Sequence, residues 1–154
     1  MKNKYFFRTG ITFLLSCLIS AGIFGQVLLV GSLKSGKPQV TDLAAATTAL
    51  KGGLPSSALV SNIYIEQEPE SRKYFLFGTI SNASITGKAI ELKPEGEILR
   101  AVGGPGVEIT CSGYLCNVCV PKISGSKVRC VCEDTSHPEG QRCDMTSKVI
   151  ITLW

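Results

Sequence analysis

The sequence predicts a small, mainly-β fold, a β-meander or sandwich, with one short N-terminal helix and a C-terminal third stapled by disulfides. Three observations predict it. Beyond Pro55 the apolar residues recur with a period of two, in β-branched and aromatic stretches broken by Gly, Pro and charged turns. Only one stretch, residues 41–51, carries a helical period with stop and start signals at its ends. Six of the seven cysteines crowd between Cys111 and Cys143, spaced C-x4-C-x2-C-x10-C-x-C-x10-C.

Length and charge bound the function. A chain of 154 residues suits one domain with an N-terminal extension, and 44% apolar residues is too hydrophobic for a disordered chain. The net charge of +4 includes Lys2, Lys4 and Arg8; setting these aside leaves 13 Lys and Arg against 12 Asp and Glu. A nucleic-acid partner requires a clustered basic surface, and none remains.

Residues 1–31 read as a targeting segment. Lys2, Lys4 and Arg8 precede an uncharged apolar run from Ile11 to Gly31. Three fates stay open. The segment is a signal peptide cleaved near Ser20 or Gly25, a retained single-span membrane anchor, or a lipoprotein leader acylated at Cys17, where Leu14-Leu15-Ser16-Cys17 resembles a lipobox. Each places the rest of the chain outside the cytoplasm, because the basic start holds the N-terminus inside.

Residues 32–57 read as a linker with a short helix. Within it, Gly31-Ser32-Leu33-Lys34-Ser35-Gly36-Lys37-Pro38 fits the spacing of a phosphate-binding loop. Pro38 stands where that loop needs a hydroxyl for Mg²⁺, and it disfavours the helix that must follow Lys37. Gly-, Ser- and Lys-rich sequence after an apolar leader is more simply a linker than a nucleotide site. Thr41 or Asp42 can cap the helix, Leu43, Ala46 and Leu50 share one face, and Gly52-Gly53 ends it. The small Ala-rich face suits docking on a sheet.

The remainder, residues 58–154, reads as an exported β domain. Strands are predicted at 59–65, 74–80, 89–93, 97–102 and 107–111, with a closing strand at 148–154 presenting Val149, Ile151 and Leu153 on one face. Ile90 and Leu92 point inward, Glu91 and Lys93 outward. Lys93-Pro94-Glu95-Gly96 carries the signature of a type I turn, and Gly103-Gly104-Pro105-Gly106 turns the chain again. Cys111 falls at a strand end on the same face as Val107 and Ile109. Asn82-Ala83-Ser84 is a glycosylation sequon, meaningful only in a eukaryotic secretory pathway.

Three chemistries compete for Cys111, Cys116, Cys119, Cys130, Cys132 and Cys143. Three disulfides suit an exported chain whose Gly-, Ser- and Pro-rich C-terminal third has little apolar bulk to bury. Cys130 and Cys132 are too close to bridge each other; on one strand both thiols point to the same face and take different partners. The second chemistry is a metal site. Zinc would take Cys116, Cys119, Cys130 and Cys132, while Cys111-x4-Cys116-x2-Cys119 resembles the opening of the plant-type [2Fe–2S] ferredoxin loop over nine residues. The third is thiol-redox chemistry through Cys116-x-x-Cys119, which normally opens a helix; Val120-Pro121 follows at once instead.

Other catalytic constellations are weak. His137, the one histidine, lies in a turn, and Ser124-Gly125-Ser126-Lys127 lacks the companion motifs of S-x-x-K enzymes. The leading reading is a non-enzymatic binding or structural module, secreted or associated with the cell envelope, with no cofactor. Its partner is an unidentified protein or envelope component. Tyr114, Leu115, Val118 and Val120 are the candidate contact residues. A metal-binding or thiol-redox protein is the alternative.

Overall fold

The computed structural model describes residues 27–101, 106–133 and 140–150. In chain order these form β1 (Leu28–Lys34), β2 (Lys37–Val40), α1 (Leu43–Lys51), β3 (Leu59–Gln67), β4 (Tyr74–Ser81), β5 (Gly87–Glu95), β6 (Ile98–Ala101), β7 (Gly106–Tyr114), β8 (Cys119–Ser124), β9 (Lys127–Cys132) and β10 (Arg142–Ile150). The mainly-β class, the single helix and the disulfide-stapled C-terminal region are all present.

β5 organises the sheet. Its whole inner length pairs with β4 on one side, from Tyr74↔Leu92 to Thr79↔Gly87. On the other side it is shared, by β7 over Gly87–Ile90 and by β6 over Lys93–Glu95. β3 continues the sheet beyond β4, β1 and β2 continue it beyond β6, and β10 lies outside β7. All pairings are antiparallel, and β2 comes back against β3, so the strands β2-β1-β6-β5-β4-β3 nearly close on themselves.

The alternation read from the sequence determines which side chains fill this curl. Val30, Ile65, Leu76, Ile90, Leu92 and Leu99 point inside, and Ala46 and Leu50 of α1 plug one end. Burying each of the larger ones contributes about 1.5–3 kcal/mol. β4 is buried on both faces, which explains its near-continuous apolar run. Phe75 and Phe77 point outward, where Ala89, Ile109 and the β8–β9 hairpin residue Val128 cover them.

α1 begins where the capping signal places it: the Asp42 carboxylate accepts the Ala45 N–H at 2.8 Å. It ends at Gly52, with Gly53 at a φ of +76°. Leu43 was expected on the buried face and is instead 62% exposed. The docked stripe is Ala46 and Leu50 flanked by Ala45 and Ala49, which puts Leu43 about a quarter turn from its centre.

Four further expectations are corrected. The linker over 32–57 contains strand as well as the helix: β1 and β2 form a hairpin around Ser35-Gly36, whose φ angles of 52° and 76° fit a type I′ turn. Leu28–Gly31, read as the end of the targeting segment, opens β1, and Val30 is fully buried. Lys37 itself opens β2. The turn at 93–96 is displaced, because Pro94 lies inside β5 opposite Leu99. The connection is Gly96-Glu97 with only Gly96 at positive φ, as in a type II′ turn. The closing strand begins earlier than 148, as β10, and its Val149 is exposed. Cys17, residues 102–105, His137, Ile151 and Leu153 lie outside the described residues. Among those described, no helix is long and apolar enough to cross a membrane.

Two ionic groups fix connections. Lys88, fully buried, donates to the Gly52 carbonyl at 2.7 Å and pairs with Glu108 of β7 at 3.0 Å. The Glu68 carboxylate folds back on its own turn and accepts the N–H groups of Glu70 at 2.8 Å and Ser71 at 2.6 Å, together with the Ser71 hydroxyl. The Ser71 hydroxyl first, then the Glu70 amide, hold this carboxyl below its ordinary value. A depressed folded pKa means the carboxylate stabilises the turn above the unfolded value, and this is lost as pH falls through the folded one. The Glu70 and Ser71 amide resonances should therefore titrate together on the acid side of the ordinary carboxylate range and stay flat in Glu68→Gln. Flat resonances in the wild-type chain would contradict this account of the turn.

Candidate functional site

The six cysteines between Cys111 and Cys143 form three disulfides, each joining different elements. Cys111 of β7 bonds Cys130 of β9, with Cα atoms 5.6 Å apart. Cys116 of the β7–β8 connection bonds Cys132 at the end of β9, at 6.0 Å. Cys119 of β8 bonds Cys143 of β10, at 5.7 Å. All three separations suit an unforced bridge. Cys130 and Cys132 do take different partners from one face of β9.

The strand pattern explains why these residues meet. Cys111 and Ile109 share the outer face of β7, under the hairpin. Cys119 and Cys132 are opposite each other in the β8–β9 ladder, so the ends of that hairpin gather the remaining bridges. The hairpin seats closely on β5 at Gly87, where a Cβ would lie 2.5 Å from Pro121 Cδ and 2.7 Å from the Cys119 carbonyl. The Thr86 hydroxyl locks the seat: it accepts the Cys119 N–H at 3.0 Å and donates to the Cys119 carbonyl at 2.9 Å. At the far edge, Lys122 pairs with Glu133 at 2.6 Å. Tyr64 stacks on Phe77 with ring centroids 5.0 Å apart, and its partial burial, then the charge of Glu66, push its phenol up.

Residues 112–118, the end of β7 and its connection to β8, are the product of this framework. The loop turns back so tightly that a Cβ on Gly113 would collide with the Cys116 carbonyl, and Leu115 takes a φ of 55°. Its tip is apolar and turned to solvent: Tyr114 is 54% and Leu115 60% exposed. The Arg142 guanidinium lies 4.8 Å from the centre of the Tyr114 ring, a cation–π contact that holds the ring against β10. Of the four residues expected at the surface, Val118 is half-buried and Val120, in β8, is buried. Arg142 was missed; its position beside Cys143 in a strand that pairs with β7 was the available signal.

The alternative chemistries meet this geometry differently. Cys116 and Cys119 do not bond each other, and neither opens a helix. The four-cysteine set Cys116, Cys119, Cys130 and Cys132 is not gathered as a unit, since Cys130 is tied to Cys111. The sulfurs that do converge are those of Cys116, Cys132 and Cys143, all within 4.8 Å of one another. Each is a half-cystine, and metal coordination requires the thiolate.

The sequence matches no protein-family model, and no curated protein or solved structure is detectably similar to it.

Proposed function

We propose that this cysteine-rich β protein is an exported, non-enzymatic binding or structural module, whose disulfide-fixed loop engages a protein or envelope partner. The observation that carries the reading is the Tyr114-Leu115 tip: two large apolar side chains exposed on a loop bounded by bridged cysteines. A loop held rigid before contact loses little conformational entropy on binding, and a Tyr with a cation at its face makes an adaptable anchor. Three disulfides support an oxidising compartment, and the charged, then apolar, start of the chain supports export to it.

A photo-crosslinking residue at Leu115 should trap a discrete partner in intact host cells, and Tyr114→Ser should abolish that adduct. Both positions are exposed, so stability should change by no more than about 0.5 kcal/mol. A folded chain that yields no adduct from position 115 would sink the binding role of this loop. The convergence of Cys116, Cys132 and Cys143 favours the second reading, a metal or thiol-redox site. That reading requires both the Cys116–Cys132 and Cys119–Cys143 bridges to be reduced before all three sulfurs are available.

A further inference from the structure

β10 is an outermost strand: β7 pairs with one of its edges, and no described strand pairs with the other. The other exposed edges each carry a feature that blocks pairing. β2 has only four residues and includes Lys37 and Pro38. The β3 ladder is broken by a register shift between Ser61 and Tyr64, with Asn62 at a φ of 49°. β8 holds Pro121, and β9 presents Lys127 and Arg129 to solvent. β10 is nine residues long, and its exposed charges, Arg142, Asp144 and Lys148, are of both signs rather than one. Its register with β7 runs unbroken from Arg142↔Tyr114 to Ile150↔Gly106, and it contains no proline.

The strand is also complementary to itself. Met145 and Val149 lie on the hairpin side, the face from which Cys143 reaches Cys119, and are 50% and 65% exposed. Asp144, Thr146 and Lys148 lie on the opposite face, all exposed. Lys148 has no ion-pair partner among the described residues, and Asp144 has only Arg142 at 3.7 Å. Antiparallel pairing of two β10 strands about Thr146 places Asp144 opposite Lys148 twice and Thr146 opposite itself. On the other face Met145 and Val149 of each copy become diagonal neighbours. Opposite charges, paired threonines and diagonal apolar contacts are the pairs that stabilise a ladder.

We propose that β10 pairs antiparallel with β10 of a second copy of this chain, across a two-fold axis at Thr146, forming a symmetric dimer with a continuous sheet. The contact is isologous and closes at two copies. Sedimentation equilibrium of the full exported chain should show a dimer. Asp144→Lys and Lys148→Glu each set like charges opposite one another twice and should weaken self-association by roughly tenfold or more. Both sites are solvent-exposed, so circular dichroism and the thiol count should be unchanged. Mixing the two variants restores opposite charges at both pairs and should give a heterodimer. A monomeric wild-type chain, a dimer insensitive to both substitutions, a mixture that fails to reassociate, or growth beyond two copies would each overturn the proposal.

Discussion

Replacing Cys119 and Cys143 together by Ala should lower the unfolding free energy by about 3.5 kcal/mol, the chain-entropy value for a loop of this length. The bridge closes a separation of 24 residues and joins β8 to β10. β10 has little else to hold it besides its ladder with β7, because its side chains from 144 to 149 are all exposed. Amide exchange should therefore quicken in β10 and in the 112–118 loop, while the curl formed by β1–β6 keeps its protection. Loss of Cys111–Cys130 carries a similar entropic cost over 19 residues. There the hairpin stays docked through Val128 and Ile123 on Phe75 and Phe77, so local exchange should change less. Urea unfolding followed by amide exchange measures both. An unchanged unfolding midpoint in the Cys119/Cys143 variant would contradict the structural role of that bridge.

Lys88→Met should cost about 3 kcal/mol, the lower end of the range for breaking a buried pair. The ammonium is 1% exposed, 3.0 Å from the Glu108 carboxylate and 2.7 Å from the Gly52 carbonyl. Gly52 ends α1, so Lys88 also meets the negative end of the helix dipole and ties the helix to β5 and β7. The partners are not equivalent. Glu108 retains 23% exposure and can be hydrated when Lys88 is removed, whereas removing Glu108 strands the buried ammonium on a single carbonyl. Glu108→Ala should therefore cost at least as much as Lys88→Met, about 3–5 kcal/mol. Lys88→Met with Glu108→Leu should recover much of the loss. Denaturant midpoints decide this, and a Lys88→Met midpoint equal to that of the wild-type chain would refute the pair's role.

The strand pattern of the central sheet was legible because one face of each strand meets a core. Alternation placed Ile90 and Leu92 inside, and one further step of the same alternation places Lys88 there too. A lysine between Gly87 and Ala89 reads as solvated unless its parity with Ile90 is followed. The helix cap at Asp42 was legible for the same local reason: one side chain and one amide three residues on decide it.

β1 was not legible. Its apolar residues continue the uncharged run of the targeting segment without a break, and nothing in Val27–Val30 separates leader from strand. Its place is set by pairing with β6, some seventy residues on, in register Leu28↔Ala101. The cysteine pairing was half legible. The C-x-C spacing sends Cys130 and Cys132 to one face and to different partners. Which partners depends on β7, whose outer face carries Cys111, and on β10 running beside it to bring Cys143 near Cys119. Val120 looked like a contact residue because no local signal in the sequence marks it as buried.

The disulfide-fixed loop depends on the state of six thiols. Alkylation of the denatured, unreduced protein, exported by its own leader and read by intact mass, measures that state directly. With Cys111–Cys130, Cys116–Cys132 and Cys119–Cys143 in place, none of the six should be modified before reduction and all six afterwards. Two or more of them modified before reduction would contradict the disulfide-fixed loop and turn the reading towards thiolate chemistry at Cys116, Cys132 and Cys143.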